Sequence, residues 1–434
     1  MSKSRNPLII LGGGLAGLSA CYHGNGIVYE QNDNTGGHAC SHSSDGFIFD
    51  EGIHVLHTSN KYILELMEKI DAGLEVKERN AWIHSNGVLT RYPFQANTYG
   101  LPIDIVKDCL LGFIENDFGD VSKIKNYQDW VYYMFGKGIA EHFMLPYSKK
   151  FWGVDPDQLT TDWVNVRHPK PSMGEVINGA LHDQKKGFGI NASFRYPREG
   201  GFGFIGKALA KDCEDRINLG MKATHIDATG KQITFNDSQV IPYDKILSTI
   251  PLPDLIELIP NAPEEVIGAT KKLKTNSIYV VNIGVKREGI SDKSWIYFLE
   301  KDYCFFRVSF PFNFTHDPYS LIPEGHSSIS VEIAYGNDNP FPELEEKIAD
   351  RVIQDLIKAG ILEANDQIVF VDTVDIKYGY VVFDKDRKPA IKKIHNYLKA
   401  FDIIPCGRYG FWAYLWSDEA IMSGKKAGEK LLQF

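Results

Sequence analysis

The first thirty residues alternate between short apolar runs and glycine-rich turns. Residues 7–11 (PLIIL) form an apolar run with no polar interruption, which predicts a strand buried on both faces of a parallel sheet. A glycine turn leads into helical spacing from Leu15 to about His23, and a second apolar run, Ile27–Tyr29, ends at Glu30. This order predicts a βαβ unit at the start of a parallel sheet.

Helical and strand patterns then alternate without internal repeats. Residues 60–70 carry apolar positions at helical spacing, and residues 100–185 are mainly helical and dense in aromatic residues. We expect the second segment to be a helical insertion, which either caps a binding site or forms a plain hydrophobic core.

Strand patterns return after residue 217. We expect Gln232–Phe235 and Lys245–Ile250 to rejoin the first sheet, whereas the longer runs between residues 279 and 334 predict a meander suited to a substrate domain. An amphipathic helix is predicted from Pro342 to Ala359, with Gly360 as its end. From residue 401, strand, glycine turn and helix follow each other once more.

Composition narrows the classes of function. The 434 residues carry a formal net charge of -9, so no global basic field attracts nucleic acid. The aromatic content of 12% suits a deep, aromatic-walled pocket. The cysteines show no CxxC and no regular spacing, which argues against a disulfide scaffold. Cys40 lies between His38 and His42, but alternating ligands on one strand rarely complete a metal site alone, so no metal is predicted.

The glycine turn contains the spacing GxGxxG, which gains meaning from the strand before it and the helix after it. Gly12 would make the tight turn, Gly14 would let the backbone approach a pyrophosphate, and Gly17 would let helix and strand pack closely. Leu15 and Ala16 open the helix, whose N-terminus would face the anion.

The residues that follow indicate which dinucleotide the chain would bind. Glu30 would accept hydrogen bonds from the ribose hydroxyls, and its carboxylate disfavours a ribose phosphate, so FAD or NAD fits better than NADP. Gly36 and Gly37, followed by His38, then favour FAD, because a bare backbone must pass the phosphates and ribityl chain.

These patterns predict an α/β fold: a Rossmann-like FAD-binding domain with a parallel sheet, an antiparallel-sheet substrate domain and a helical insertion. The expected segments are 1–95 and 191–255 for the first two parts of the FAD-binding domain, 96–190 for the insertion, 256–395 for the substrate domain, and 396–434 for the C-terminal part of the FAD-binding domain.

Further motifs are spread over nearly the whole chain. They are DGFIFD at 45–50 with Gly52 and His54, YPFQAN at 92–97, PY at 146–147 with KFWG at 150–153, Arg167, NASFRYPREGG at 191–201, FFRVS at 305–309, and GRYG at 407–410 with Tyr414 and Asp418. Together they resemble the UDP-galactopyranose mutases, particularly the eukaryotic-type branch. That family lies in the superfamily of FAD proteins that includes amine oxidases and protoporphyrinogen oxidases.

The resemblance implies a redox-neutral isomerisation between pyranose and furanose forms of UDP-galactose or a related nucleoside diphosphate sugar. N5 of the reduced FAD would act as the nucleophile, with NADPH or NADH as a candidate reductant. The expelled diphosphate needs cations and hydroxyl donors in a closed site.

The resemblance also implies roles for individual residues. Catalytic roles fall to His54 beside the flavin and to the diphosphate arginines Arg167 and Arg307. Substrate contacts fall to Trp152, Asn191, Tyr297, Tyr380 and Tyr414, and further cofactor contacts to Arg408 and Asp418. For the two diphosphate arginines the simpler alternative is a surface ion pair. For the three tyrosines and His54 it is a place in the core.

Two positions depart from the family pattern. Phe314 follows Asn313 where the family usually has a phosphate-binding tyrosine, so one hydroxyl donor is missing. Ile53 precedes His54 where the family has glycine, which should stiffen a loop expected to move. Both departures leave room for a different nucleotide sugar or a different reaction.

The alternatives are an FAD-dependent oxidoreductase of the amine oxidase or protoporphyrinogen oxidase type and a non-enzymatic flavin-binding protein. We expect a small-molecule nucleotide sugar as partner, no nucleic acid and no stable membrane insertion, because no run of 18 apolar residues occurs. A cytoplasmic enzyme is expected, and its oligomeric state is left open.

Overall fold

A five-stranded parallel sheet carries the glycine turn. The computed structural model describes residues 8–116, 118–164, 170–184, 192–336 and 339–432. The sheet has the order β19-β13-β1-β2-β9, and its strands are β1 (Leu8–Leu11), β2 (Ile27–Tyr29), β9 (Ile217–Asn218), β13 (Lys245–Ser248) and β19 (Ile403–Pro405). All of its pairs are parallel, and Ile9 and Ile10 are fully buried, which confirms a strand covered on both faces.

Two helices cover this sheet where its strands end. Helix α1 (Leu15–His23) has the predicted bounds, and α13 (Ser417–Leu432) packs along it. A methyl group added at Gly424 would lie 2.1 Å from the carbonyl oxygen of Ala16, so glycine is required for this close approach. The final strand, turn and helix of the chain therefore return to the glycine turn, as the sequence predicts.

A seven-stranded sheet forms the second layer, in the order β18-β14-β17-β16-β15-β6-β7. Its strands are β6 (Ala81–Ser85), β7 (Val88–Arg91), β14 (Ser277–Val285), β15 (Trp295–Phe298), β16 (Arg307–Ser309), β17 (Ser327–Tyr335) and β18 (Ile368–Ile376). Strands β15, β16 and β17 follow one another as in a meander, but β14 pairs with β17 and β18. The simple meander is therefore wrong at β14, and the early hairpin β6-β7 extends the sheet through a parallel pair with β15.

One strand expectation is wrong. Strand β13 rejoins the first sheet, but β11 (Gln232–Phe235) lies in a separate antiparallel sheet between β10 (Ala223–Asp227) and β12 (Gln239–Pro242). Its residues alternate between exposed and buried, which suits a sheet with one solvated face rather than a doubly covered parallel strand.

Two two-stranded antiparallel sheets complete the strands. One is the hairpin of β3 (Ser41–Ser44) with β4 (Phe47–Asp50), and the other pairs β5 (Leu74–Glu78) with the distant β8 (Ser193–Pro197).

The predicted helical insertion consists of α3 (Ile103–Ile114), α4 (Tyr127–Ile139), α5 (Leu145–Trp152) and α6 (Met173–Leu181), with a π-helical turn between α4 and α5. It encloses a core in which Tyr127, Phe135 and Trp152 are almost fully buried.

The remaining helices are α2 (Lys61–Lys69), α7 (Phe204–Lys211), α8 (Leu252–Glu257), α9 (Glu264–Thr270), α10 (Ile348–Lys358), α11 (Arg387–Lys399) and α12 (Gly407–Gly410). Helix α10 begins later than the predicted Pro342, and Leu344 is 55% exposed. Gly360 ends the segment in the left-handed region, with φ +69°. Over the described ranges, no helix combines the length and the apolar character needed to cross a membrane.

Candidate active site

A cavity of about 1440 Å³ lies among the parallel sheet, the seven-stranded sheet and the helical insertion. Single small-molecule sites usually measure about 300–1,000 Å³, so this space suits two ligands side by side. The insertion contributes Tyr147, Phe151 and Trp152 to its wall. The insertion therefore caps the cavity as well as enclosing a core of its own.

Bare backbone lines one end of the cavity, at Gly12, Gly14, Gly36 and Gly37. The N–H of Gly36 donates to the carbonyl oxygen of Gly13 at 2.9 Å, which brings the two predicted glycine segments together. A methyl group added at Gly37 would lie 3.1 Å from the α-carbon of Gly14. This cradle leaves room for a ligand only because side chains are absent.

The start of α1 faces the same space. Leu15 and Ala16 line the cavity, and no side chain caps the N-terminus of the helix. Free backbone N–H groups at a helix start favour an anion. The observed geometry thus fits the pyrophosphate of a dinucleotide.

Glu30 stands at the end of β2 and borders the cavity. Its carboxylate accepts hydrogen bonds from the N–H of Gly13 at 2.6 Å and from the N–H of Asn32 at 2.9 Å. These bonds hold the side chain beside the glycine turn, where a ribose hydroxyl would reach it.

Arg408, in α12, also lines the cavity. Its terminal nitrogens donate to the carbonyl oxygens of Leu415 at 3.2 Å and Gly379 at 3.4 Å. Its guanidinium lies 5.1 Å from the ring centres of both Tyr380 and Tyr414. Its buried Nε has no hydrogen-bond partner in the described part of the chain, which leaves a donor for a ligand.

Two predicted site residues do not line the cavity, and two others are outside the residues that the structure describes. A methyl group at Gly17 would approach the carbonyl oxygen of Gly12 to 2.0 Å, so this glycine serves helix packing and does not line the cavity. Asp418, in the first turn of α13, accepts a hydrogen bond from the N–H of Glu419 and also lies outside the lining. Arg167 and Asn191 are outside the described residues.

Arg307 and a wall of tyrosines also line the cavity. Tyr297 pairs with Arg307 across β15 and β16, and the Tyr147 ring lies 5.4 Å from that of Tyr297. Burial raises the pKa of Tyr380, so its hydroxyl stays protonated and can donate.

Glu332 holds Arg307 in place and is a residue that the motifs do not reveal. Its carboxylate accepts two hydrogen bonds from the Arg307 guanidinium, one of them at 2.9 Å. Their side chains are 4% and 13% exposed, respectively, so the pair is largely desolvated. The sequence does contain one sign of this residue. Glu332 is the single carboxylate in β17, whose other residues are apolar or carry hydroxyl groups.

His54 lies on the loop between β4 and α2, and its ring stacks on Phe202 with centres 5.5 Å apart. Burial lowers the pKa of His54 to about 4, so the ring is neutral at neutral pH. His38 lies 3.2 Å from a carboxylate oxygen of Glu51, and both residues line the cavity.

Arg79, Tyr92 and Tyr147 also line the cavity. Tyr92 and Tyr147 belong to the motifs YPFQAN and PY, but none of the three residues was predicted to belong to the site. The Arg79 guanidinium lies 4.4 Å from the centre of the Tyr92 ring. Their positions depend on how β5, β6 and β7 meet distant strands.

Phe314 does not line the cavity. Its ring is 1% exposed and packs against Phe194, Tyr196 and Trp295. A tyrosine hydroxyl at this position, which the family pattern led us to expect, would therefore lie in the core.

No group of three or more histidine, cysteine, aspartate or glutamate side chains capable of holding a metal ion occurs in the described ranges. Cys40 lies 3.4 Å from His42 and 3.6 Å from Glu51, so the early histidine and cysteine cluster is hydrogen-bonded within itself.

Comparisons with known proteins agree with this geometry. A family model described as flavin containing amine oxidoreductase matches residues 15–375, more than half of the chain. A solved structure of reduced UDP-galactopyranose mutase is similar, with a TM-score of 0.92 and 28% identity; the match covers 99% of this chain and 94% of that chain.

Two curated relatives are named as an oxidase and an oxygenase. The mitochondrial protoporphyrinogen oxidase of Nicotiana tabacum is 24% identical over 306 residues, and the match covers 58% of this chain and 59% of that protein. The 4,4'-diaponeurosporene oxygenase of Staphylococcus aureus (strain USA300) is 22% identical over 467 residues, with 89% and 90% covered.

Proposed function

Because the chain belongs to the family of flavin containing amine oxidoreductases, we propose that it is an FAD-dependent nucleotide-sugar mutase. It interconverts the pyranose and furanose forms of UDP-galactose or a closely related nucleoside diphosphate sugar. NADPH or NADH is the proposed source of electrons for the flavin.

The observation that carries this proposal is the wall formed by Arg307, Tyr297 and Tyr380 in the same cavity as the glycine cradle. A guanidinium can bind two oxygens of a phosphate at once, and buried phenols donate hydrogen bonds without adding charge. Such a wall suits a nucleoside diphosphate. The likeness to UDP-galactopyranose mutase over 99% of the chain supports the same substrate class.

The reduced flavin, when bound, supplies the nucleophile that attacks the anomeric carbon of the sugar. The protein's own residues have the task of holding the expelled diphosphate until the sugar closes again. Arg307, fixed by Glu332, offers a positive charge that needs no reorganisation. Trp152 is 2% exposed and helps to exclude water from the site.

His54 is proposed to lie beside the flavin. Since its pKa is lowered to about 4, its ring acts as a neutral donor or acceptor rather than as a cation. Arg167 and Asn191 are proposed, on family resemblance alone, to add a second diphosphate arginine and a substrate contact.

The second candidate is an FAD-dependent oxidoreductase of the amine oxidase or protoporphyrinogen oxidase type. The names of the two curated relatives, an oxidase and an oxygenase, favour it. An oxidoreductase takes net electrons from its substrate, whereas a mutase returns the flavin to its starting state in every cycle.

The test is to reduce the purified flavoprotein with dithionite under nitrogen, add UDP-galactofuranose and quantify UDP-galactopyranose by chromatography. Arg307→Ala should lose about a hundredfold or more of the turnover while keeping its flavin. Arg351→Ala is the matched control, because Arg351 pairs with Asp355 on α10 and does not line the cavity. Failure of the wild type with several UDP-hexoses would exclude the mutase, and oxygen consumption on a substrate would favour the oxidoreductase.

A further inference from the structure

A third arginine of the described chain, Arg79, lines the cavity besides Arg307 and Arg408. Arg79 follows directly after β5, and its backbone N–H donates to the carbonyl oxygen of Ala192 at 3.0 Å. Its guanidinium lies 4.4 Å from the centre of the Tyr92 ring. Backbone and ring together hold this side chain at the cavity wall.

In the described part of the chain, no carboxylate balances the charge of Arg79. Arg307 has Glu332 as a two-point partner, but no carboxylate forms an ion pair with Arg79 within the residues the structure describes. Its neighbour His57 is neutral at neutral pH, because burial and the charge of Arg79 lower the pKa of His57 to about 4. A cation partly removed from water without a counter-ion is unfavourable, and a ligand anion would relieve that cost.

A second unused donor lines the same cavity. The indole of Trp295 is 3% exposed, and its N–H has no hydrogen-bond partner in the described part of the structure. Buried indole N–H groups usually find an acceptor. An acceptor supplied by a ligand would meet this requirement.

Arg79 is connected to the proposed diphosphate wall through aromatic rings. The Tyr92 ring lies 5.4 Å from that of Tyr297, and Tyr297 pairs with Arg307 across the sheet. Arg79, Tyr92, Tyr297 and Arg307 thus form a continuous row along the cavity.

We propose that Arg79 binds an oxyanion of the substrate and forms a second anion subsite, distinct from the one at Arg307. The inference rests on the proposed function, since it takes the ligand to be a nucleoside diphosphate sugar. The oxyanion is either an oxygen of the diphosphate or a carboxylate carried by the sugar.

The test measures by calorimetry the binding of uridine, UDP, UDP-galactose and UDP-galacturonate to the flavin-loaded wild type and to Arg79→Gln. Hydrogen bonds to charged groups contribute about 1.5–3 kcal/mol, so we expect affinity to fall about tenfold to hundredfold. A loss shared by the three diphosphates but not by uridine assigns Arg79 to the diphosphate. A loss confined to UDP-galacturonate assigns it to a sugar carboxylate.

Arg91→Gln is the matched control. Arg91 also lies over an aromatic ring, that of Trp82 at 4.5 Å, but it pairs with Asp183 and does not line the cavity. Its affinities should match those of the wild type, and Arg79→Lys should recover part of the loss.

Three results would overturn the inference: unchanged affinities in Arg79→Gln, an equal loss in Arg91→Gln, or a loss of flavin from Arg79→Gln. Failure of the proposed function is distinguishable, because it is seen in the wild type. If the wild type binds uridine and the three diphosphates equally weakly, the nucleotide-sugar assignment itself is wrong, and the subsite falls with it.

Discussion

The guanidinium of Arg307 and the carboxylate of Glu332 meet across β16 and β17 in a two-point ion pair within the cavity wall. The same carboxylate lies 3.4 Å from the backbone nitrogen of Ile53, in the loop that carries His54. Glu332 therefore links the proposed diphosphate arginine to the loop proposed to contact the flavin.

Removing Glu332 should leave a buried, unpaired cation. We expect Glu332→Ala to lower the free energy of unfolding by about 3–5 kcal/mol, measured by urea denaturation. Glu332→Gln keeps the shape and one acceptor, so it should cost less than Glu332→Ala. Equal stability of the wild type and Glu332→Ala would show that the ion pair is not formed in solution.

Gly14 and Gly17 lie in the same motif, but substitutions at the two positions should have different effects. A methyl group at Gly14 meets nothing nearer than 3.8 Å, whereas one at Gly17 would lie 2.0 Å from the carbonyl oxygen of Gly12. Gly14→Ala should therefore lose flavin but leave the unfolding temperature of the flavin-free protein nearly unchanged. Gly17→Ala should destabilise even the flavin-free protein, by about 1–3 kcal/mol or more.

The measurements are the flavin-to-protein absorbance ratio and thermal unfolding of the stripped proteins. Full flavin content in Gly14→Ala would contradict the cradle assigned to the cofactor's pyrophosphate.

Phe314→Tyr restores the residue type that the family pattern leads one to expect. Because Phe314 is 1% exposed and outside the cavity, the added hydroxyl should not strengthen UDP binding. It should instead lower the free energy of unfolding by about 1–3 kcal/mol, since it adds volume and a polar group to the core. Calorimetry with UDP and urea denaturation check both parts, and a clear gain in UDP affinity would place this ring at the site after all.

The partly buried His54 should make the protein sensitive to acid. Its pKa is about 4 in the folded state and 6.5 when unperturbed, so between these values the unfolded chain takes up a proton that the folded chain does not. The free energy of unfolding should therefore fall as the pH drops from 6.5 to 4.

The variant His54→Gln lacks this titration. As the pH falls from 6.5 to 4, the unfolding temperature of the wild type should fall more than that of His54→Gln. Scanning calorimetry measures both temperatures. A difference independent of pH would mean that His54 is solvated in the folded protein.

The cofactor end of the site could be predicted from sequence because its signals are local. The glycine turn, Glu30 and the second glycine pair lie within residues 12–37, and their contacts are short-range turns and one βαβ unit. The spacing of these residues was therefore enough to predict most of their arrangement.

The substrate end could be predicted only in part. Arg307 and Tyr297 were found by resemblance, but Glu332 and Arg79 were missed, because they reach the cavity through strand pairings between distant segments. The hairpin β6-β7 illustrates the same limit, since its parallel pair with β15 joins segments more than 200 residues apart. The prediction that β11 joins the first sheet was wrong for a local reason. Polar and apolar residues alternate along β11, which is the pattern of a half-exposed strand and not of a buried parallel one.

The most direct test of the mutase proposal is an electron count. The fully reduced flavoprotein is mixed anaerobically with a large excess of UDP-galactofuranose, and the product and the flavin spectrum are followed together. We predict many molecules of UDP-galactopyranose per flavin while the flavin spectrum stays reduced throughout. A flavin that becomes oxidised, with one molecule of a two-electron-reduced sugar nucleotide formed per flavin in place of UDP-galactopyranose, would contradict a redox-neutral reaction.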